Sequence, residues 1–179
     1  MIGMIVGVNP KWVIGCANGE IPWQGKHKGD QQLFKEKTLG SVVVMGRVTW
    51  EGIPKKYRPL ADRRNCVLSR EGTNESLGLP SEVTVCSSIQ AALEEFKEAE
   101  AIWFLGGAQV YYQAIEYATL VHMTLIPDET NLGNLVYYPE KCRKLSSHDG
   151  WQLRKMPHPH NEALVINEYF RKTPQKKRP

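Results

Sequence analysis

The sequence predicts a single α/β domain. Its centre is a mostly parallel twisted sheet with an antiparallel C-terminal edge, flanked by about four helices. Three observations carry this expectation. Short unbroken apolar runs recur along the chain, the pattern of strands covered on both faces. Amphipathic stretches of helical period separate most of them, as parallel crossovers require. The last two runs have no helix between them, which favours an antiparallel pair. The domain is expected over residues 1–170, followed by a basic, solvated tail over 171–179.

Each element has a local reason. Ile2–Val8 is apolar and β-branched, and Asn9-Pro10 ends it. Residues 41–45 (Ser-Val-Val-Val-Met) lie between Gly40 and Gly46, and residues 65–69 form a third run. Residues 83–86 give a short fourth, and 101–105 (Ala-Ile-Trp-Phe-Leu) a fifth, cut by Gly106-Gly107. Residues 120–126 and 162–170 complete the strands. A helix over 29–38 carries Leu33 and Phe34 on one side, and 47–51 forms a short helical turn. The helix over 88–97 has a serine cap and presents Ile89, Leu93 and Phe96 together. A last helix, 108–117, follows the double glycine. The connections over 10–24, 55–61, 70–80 and 127–150 are long for one domain, and long loops in packed folds commonly carry function.

Composition narrows the class. With 41% hydrophobic and 23% charged residues among 179, the chain is too apolar for a disordered protein. No run approaches the ~18 apolar residues of a membrane span, and residues 1–8 lack the basic flank and cleavage site of a signal peptide. Cys16, Cys66, Cys86 and Cys142 are scattered without a C-x-x-C pair, and the five histidines form no H-E-x-x-H. Free thiols, a cytoplasmic location and no metal are therefore expected. The net charge of +4 is concentrated in the tail, so the domain itself announces no polyanion partner.

Two strand-to-helix junctions stand out: Met45-Gly46-Arg47-Val48-Thr49 and Leu105-Gly106-Gly107-Ala108-Gln109-Val110-Tyr111. Free backbone N–H groups at a helix start favour an anion, and glycine lets a phosphate come close. Two such corners in one small sheet suit a dinucleotide pyrophosphate, although neither is the G-x-G-x-x-G fingerprint and each alone also reads as a tight turn. Arg47 and Arg70 read as surface cations or as guanidinium forks for a 2′-phosphate, with Ser69 adding a hydroxyl. Asp30, near the start of its helix, suits the helix dipole and equally suits a carboxylate projecting into an apolar pocket.

In order and spacing, Ile14-Gly15, Ile21-Pro22-Trp23, Asp30 with Phe34-Lys35, Met45 to Glu51, Arg63-Arg64-Asn65, Leu68-Ser69-Arg70 and Leu105 to Tyr111 resemble the dihydrofolate reductase family. The resemblance runs from about Ile2 to Phe170, and its pieces are specific in series. It implies NADPH-dependent reduction of dihydrofolate by a monomer that binds neither membrane nor nucleic acid. Asp30 would bind the pterin and assist protonation through a water held near Trp23, with Thr124 bracing the carboxylate. Ile5, Val6, Gly7, Gln31, Phe34, Ile53 and Leu60 would line the substrate slot, and Arg63 would grip the glutamate α-carboxylate. NADPH would lie along Gly7, Ile14, Gly46, Arg47, Val48, Thr49, Leu68, Ser69, Arg70 and Leu105 to Tyr111, with a cis peptide at Gly106-Gly107. The loop over 10–24 would be a lid.

Departures from the family pattern are equally specific. Gln109 and Val48 stand where many bacterial members carry arginine and histidine, and Gln31 replaces an apolar residue. One extra residue lies within 16–20. The late stretch Asn134-Leu135-Val136-Tyr137-Tyr138-Pro139 lacks the aspartate that clasps the lid in many bacterial members, so altered lid dynamics are expected. A pyrimidine reductase of riboflavin synthesis would lack the Trp23–Asp30–Phe34 set and Arg63. A nucleic-acid binder would depend on the tail.

Overall fold

Alternate residues of the central strands supply two different cores. β1 (Ile2–Val8) sends Met4 and Val6 into one apolar cluster and Ile5 into another. β3 (Val42–Gly46) does the same with Val42 and Val44 against Val43 and Met45. A strand with both faces covered has no place for a polar side chain, which explains the unbroken runs. The computed structural model describes residues 1–129 and 133–176; residues 130–132 of the late loop and 177–179 of the basic tail lie outside the described residues.

The remaining strands are β2 (Val13–Cys16), β4 (Arg64–Leu68), β5 (Thr84–Cys86), β6 (Ile102–Phe104), β7 (Leu120–Leu125), β8 (Leu135–Tyr137), β9 (Gln152–Pro157) and β10 (Val165–Phe170). Eight of the ten strands of the described residues form one sheet in the order β5-β4-β3-β6-β1-β7-β10-β9. All neighbours are parallel except β7–β10 and β10–β9. The expected parallel sheet with an antiparallel end is present. Five α-helices flank it among the described residues: α1 (Lys28–Thr38), α2 (Arg47–Gly52), α3 (Ile89–Glu95), α4 (Ala108–Ala114) and α5 (Glu140–Arg143). Ser88 caps α3 by accepting the Ala91 N–H at 3.0 Å. None of the helices is long and apolar enough to cross a membrane.

Several details differ from the sequence expectation. β9 has no counterpart among the expected strands, and it, rather than β10, forms the outer edge; four of its first five residues are exposed, so it has no buried run to announce it. β2 and β8 pair in a separate antiparallel ribbon between the first and late loops. β10 begins at Val165 rather than 162 because Asn161 turns the chain: its carbonyl accepts the Leu164 N–H at 3.0 Å and its Oδ1 the Ala163 N–H at 3.0 Å. The solvated tail does not begin at Arg171. That side chain is buried, stacked 4.2 Å over Trp151, and donates to Ala118 O at 3.0 Å and Ile115 O at 2.7 Å. Helix-end carbonyls need donors, and Arg171 supplies them to the turn after α4.

Candidate active site

The carboxyl ends of β1, β3, β4 and β6 all open on one cleft of about 1740 Å³. Ligands of open α/β sheets bind at such ends because helix starts and turn N–H groups converge there. Every residue expected to hold substrate or cofactor lines this cleft except Gly106. Gly106 lies just behind, where its carbonyl accepts the Gly46 N–H at 2.8 Å and so ties the two glycine corners together.

At the substrate end, α1 supplies Asp30, Gln31 and Phe34 from one side. Asp30 is only 26% exposed and stands 3.8 Å from His158 Nε2. Phe34, Ile53 and Leu60 pack against the same cluster as Ile5, making an apolar slot. Asn65 shapes its rim: Oδ1 accepts the Leu60 N–H at 3.0 Å while Nδ2 donates to Leu60 O at 2.9 Å. Arg63 sits at the mouth, 5.7 Å over the Phe34 ring, donating to Ala61 O at 2.9 Å and to Thr38 Oγ1 at 3.1 Å. Partial burial lowers its pKa without threatening its charge. Arg64 points away, over Phe96. Thr124, opposite Gly7 in the sheet register, is buried in the floor. Trp23 is buried too, with its Nε1 beside β1, 3.7 Å from where a Cβ on Gly7 would stand.

At the other end, Gly46 and Gly107 are the N-caps of α2 and α4, and neither helix has a side-chain cap bond. The Gly106–Gly107 peptide is cis. A Cβ on Gly46 would stand 3.7 Å from Gly106 O and one on Gly107 3.5 Å from Thr49 Oγ1, so the corners face each other across a narrow space. Tyr111, buried by α4, donates its hydroxyl to Ile5 O at 2.7 Å and locks that helix to the substrate strand; burial raises its pKa. Leu68, Ser69 and Arg70 continue from β4 along the same rim, where the Ser69 hydroxyl donates to Glu71 O. Arg47 pairs with Glu51 at 3.1 Å on the exposed face of α2.

The lid also takes shape. Cys16 N–H donates to Glu20 O at 2.8 Å, and Gly19, at φ +86°, rests its backbone on that of Gly52 at the end of α2. Ala17 N–H donates to Asn134 O at 2.8 Å. The late loop therefore clasps the lid with the main chain of Asn134, itself at φ +55°, in the stretch that lacks the aspartate of many bacterial members.

Two residues escaped the sequence reading. His122 on β7 lines the cleft, with its Nδ1 3.3 Å from Glu168 Oε1. Burial and then Lys37 lower its pKa. His158 lies between β9 and β10, where no sequence motif marks it. β7 is buried on both faces, so no alternation marks His122, and the partner that gives it meaning lies on β10. Among the described residues, no cluster of His, Cys, Asp and Glu could hold a metal ion.

The comparisons with known proteins agree with this geometry. A family model described as dihydrofolate reductase matches residues 1–163. The chain is 40% identical over 124 residues to the dihydrofolate reductase of Mycobacterium tuberculosis, covering 69% of this chain and 70% of that protein. It is 34% identical over 154 residues to that of Schistosoma mansoni, covering 78% of each. The solved dihydrofolate reductase of Enterococcus faecalis, in complex with NADP(H) and RAB-propyl, superposes with a TM-score of 0.78 at 24% identity, covering 97% of each chain. By sequence along nearly its whole sheet, the chain belongs to the dihydrofolate reductase family.

Proposed function

We infer that this member reduces 7,8-dihydrofolate to tetrahydrofolate with NADPH. The observation that carries the reading is a mostly covered carboxylate, Asp30, on the wall of an apolar cleft that also holds both glycine corners. The amino group and ring N–H of a pterin form a pair of donors that a carboxylate accepts side by side. Asp30 Oδ1 and Oδ2 would orient the ring in this way and favour a proton on the adjacent ring nitrogen, relayed by a water near Trp23 Nε1. Phe34 and Ile5 would stack and seal the ring, and Arg63 would take a carboxylate at the mouth. The space between Gly46 and Gly107, which a side chain would narrow, fits a pyrophosphate. Arg70 and Ser69 fit a 2′-phosphate. When bound, NADPH supplies the hydride. The lid over Gly19 excludes bulk water, so the slot is dry when the proton moves.

The four cysteines are buried free thiols, which supports a reducing, cytoplasmic setting. We take the working unit to be a monomer with no nucleic-acid partner. Absorbance at the NADPH band tests the activity: it should fall when dihydrofolate is added, and far more slowly with NADH. No loss with either cofactor would remove the reading.

A further inference from the structure

The turn between β9 and β10 docks on α1 at three places. A Cβ on Gly29 would lie 2.5 Å from His160 O, so the helix start and the turn touch backbone to backbone. His160 Nε2 meets Glu36 Oε2 at 2.9 Å. Between these contacts, His158 points its ring at Asp30. Its side chain is 0% exposed, and Nε2 has no hydrogen-bond partner among the described residues while standing 3.8 Å from Asp30 Oδ1. Nδ1 accepts the His160 N–H at 3.1 Å. That bond fixes the neutral tautomer with its proton on Nε2, the atom nearest the carboxylate. Burial lowers the pKa of the ring and keeps it in that form. An orphaned buried N–H is costly and rare, and here it has one anion in front of it.

The other charged groups around this corner are already engaged. Glu168 on β10 is shared by His122 of β7 at 3.3 Å, Lys37 of α1 at 3.6 Å and Arg154 of β9. Burial raises the Glu168 carboxyl, but these partners outweigh it and hold it low. His27, before α1, stands 3.4 Å from Asp128. Beside Thr124 in the cleft floor, His158 is the buried donor that faces Asp30 from the β9–β10 turn.

We propose that His158, carried by the β9–β10 turn, is a positioning residue that orients Asp30 and stabilises its ionised form through Nε2–H. The proposal rests on the reading of Asp30 as the group that favours the pterin proton. Removing the donor takes away the N–H that faces the ionised carboxylate, so hydride transfer in the variant should keep its fast low-pH form to higher pH.

Two polar substitutions separate this role from a structural one. In His158→Asn the amide oxygen can still accept the His160 N–H, but nothing reaches the Nε2 place. In His158→Gln the amide reaches that place and gives up the near acceptor. Single-turnover hydride transfer is followed across about pH 5.5–8.5. For Asn the midpoint should rise by about half a unit and the low-pH plateau fall about threefold; for Gln both should stay close to wild type. An unshifted midpoint in Asn, or an equal shift in both, overturns the proposal. In an Asp30→Asn background the Asn change should do nothing more, and a further shift there also overturns it. Failure of the Asp30 reading has a separate signature: Asp30→Asn alone would keep wild-type hydride rates.

Discussion

Gly52→Ala probes the lid at the place where it touches the scaffold. A Cβ at Gly52 would lie 2.9 Å from Gly19 Cα and closer still to the Gly19 carbonyl, whereas ordinary contact begins at 3.4 Å. The Gly19 carbonyl carbon, 2.5 Å from that Cβ, alone requires the lid to withdraw by 0.9 Å, because both sides of the contact are main chain and no flexible side-chain end can yield. A misplacement of about 1 Å can cost as much as 10²-fold in rate where geometry is set remotely. We therefore expect about a tenfold fall in the hydride rate and weaker NADPH retention, read by stopped-flow fluorescence. Stability should fall, since the strain at this contact outweighs the about 0.4–1 kcal/mol that alanine gains by restricting the unfolded chain. Wild-type kinetics together with a raised melting temperature would refute the lid contact.

Arg63→Leu should raise the KM for dihydrofolate by about thirtyfold with little change in kcat, the mark of a charge-assisted bond worth about 2 kcal/mol in ground and transition state alike; an unchanged KM would detach Arg63 from the substrate. His122 and His158 are both held below the ordinary histidine value by burial, so the unfolded chain takes up more protons. Stability is present above about pH 6.5 and should fall as pH drops through it, which thermal melts at graded pH would show as a declining midpoint. Glu168, held low, should add a second loss only as pH falls through the carboxylate range. Arg171→Leu should cost about 2–4 kcal/mol in urea unfolding, because the carbonyls of Ile115 and Ala118 lose their donor; no cost would return Arg171 to the solvated tail.

How much of this was legible in the sequence depended on where the signal lay. Strands buried on both faces, such as Val42–Gly46, announce themselves through composition. The edge strand Gln152–Pro157 does not: its residues face solvent, and only its ladder to β10 makes it a strand. The β2–β8 ribbon has three or four residues a side and exists through a pairing far apart in sequence. At the site, Asp30, Phe34, Arg63 and the glycine corners were legible because local motifs carry them. The Asn134 clasp was not, because it is made by a carbonyl, which every residue owns. His158 was invisible for a related reason: a Pro-flanked histidine in a turn says nothing about the helix it will meet. The basic tail was misplaced by one decisive residue, since charge pattern alone cannot show that a guanidinium finds a ring and two carbonyls.

Single-turnover hydride transfer by Asp30→Asn, with NADPH and dihydrofolate preloaded, bears most directly on the site. Wild type should speed up as pH falls, and Asn should run at least about tenfold slower near neutral pH while still binding NADPH. A variant that matches wild type across that range would show that the covered acid at the foot of α1 takes no part in the protonation.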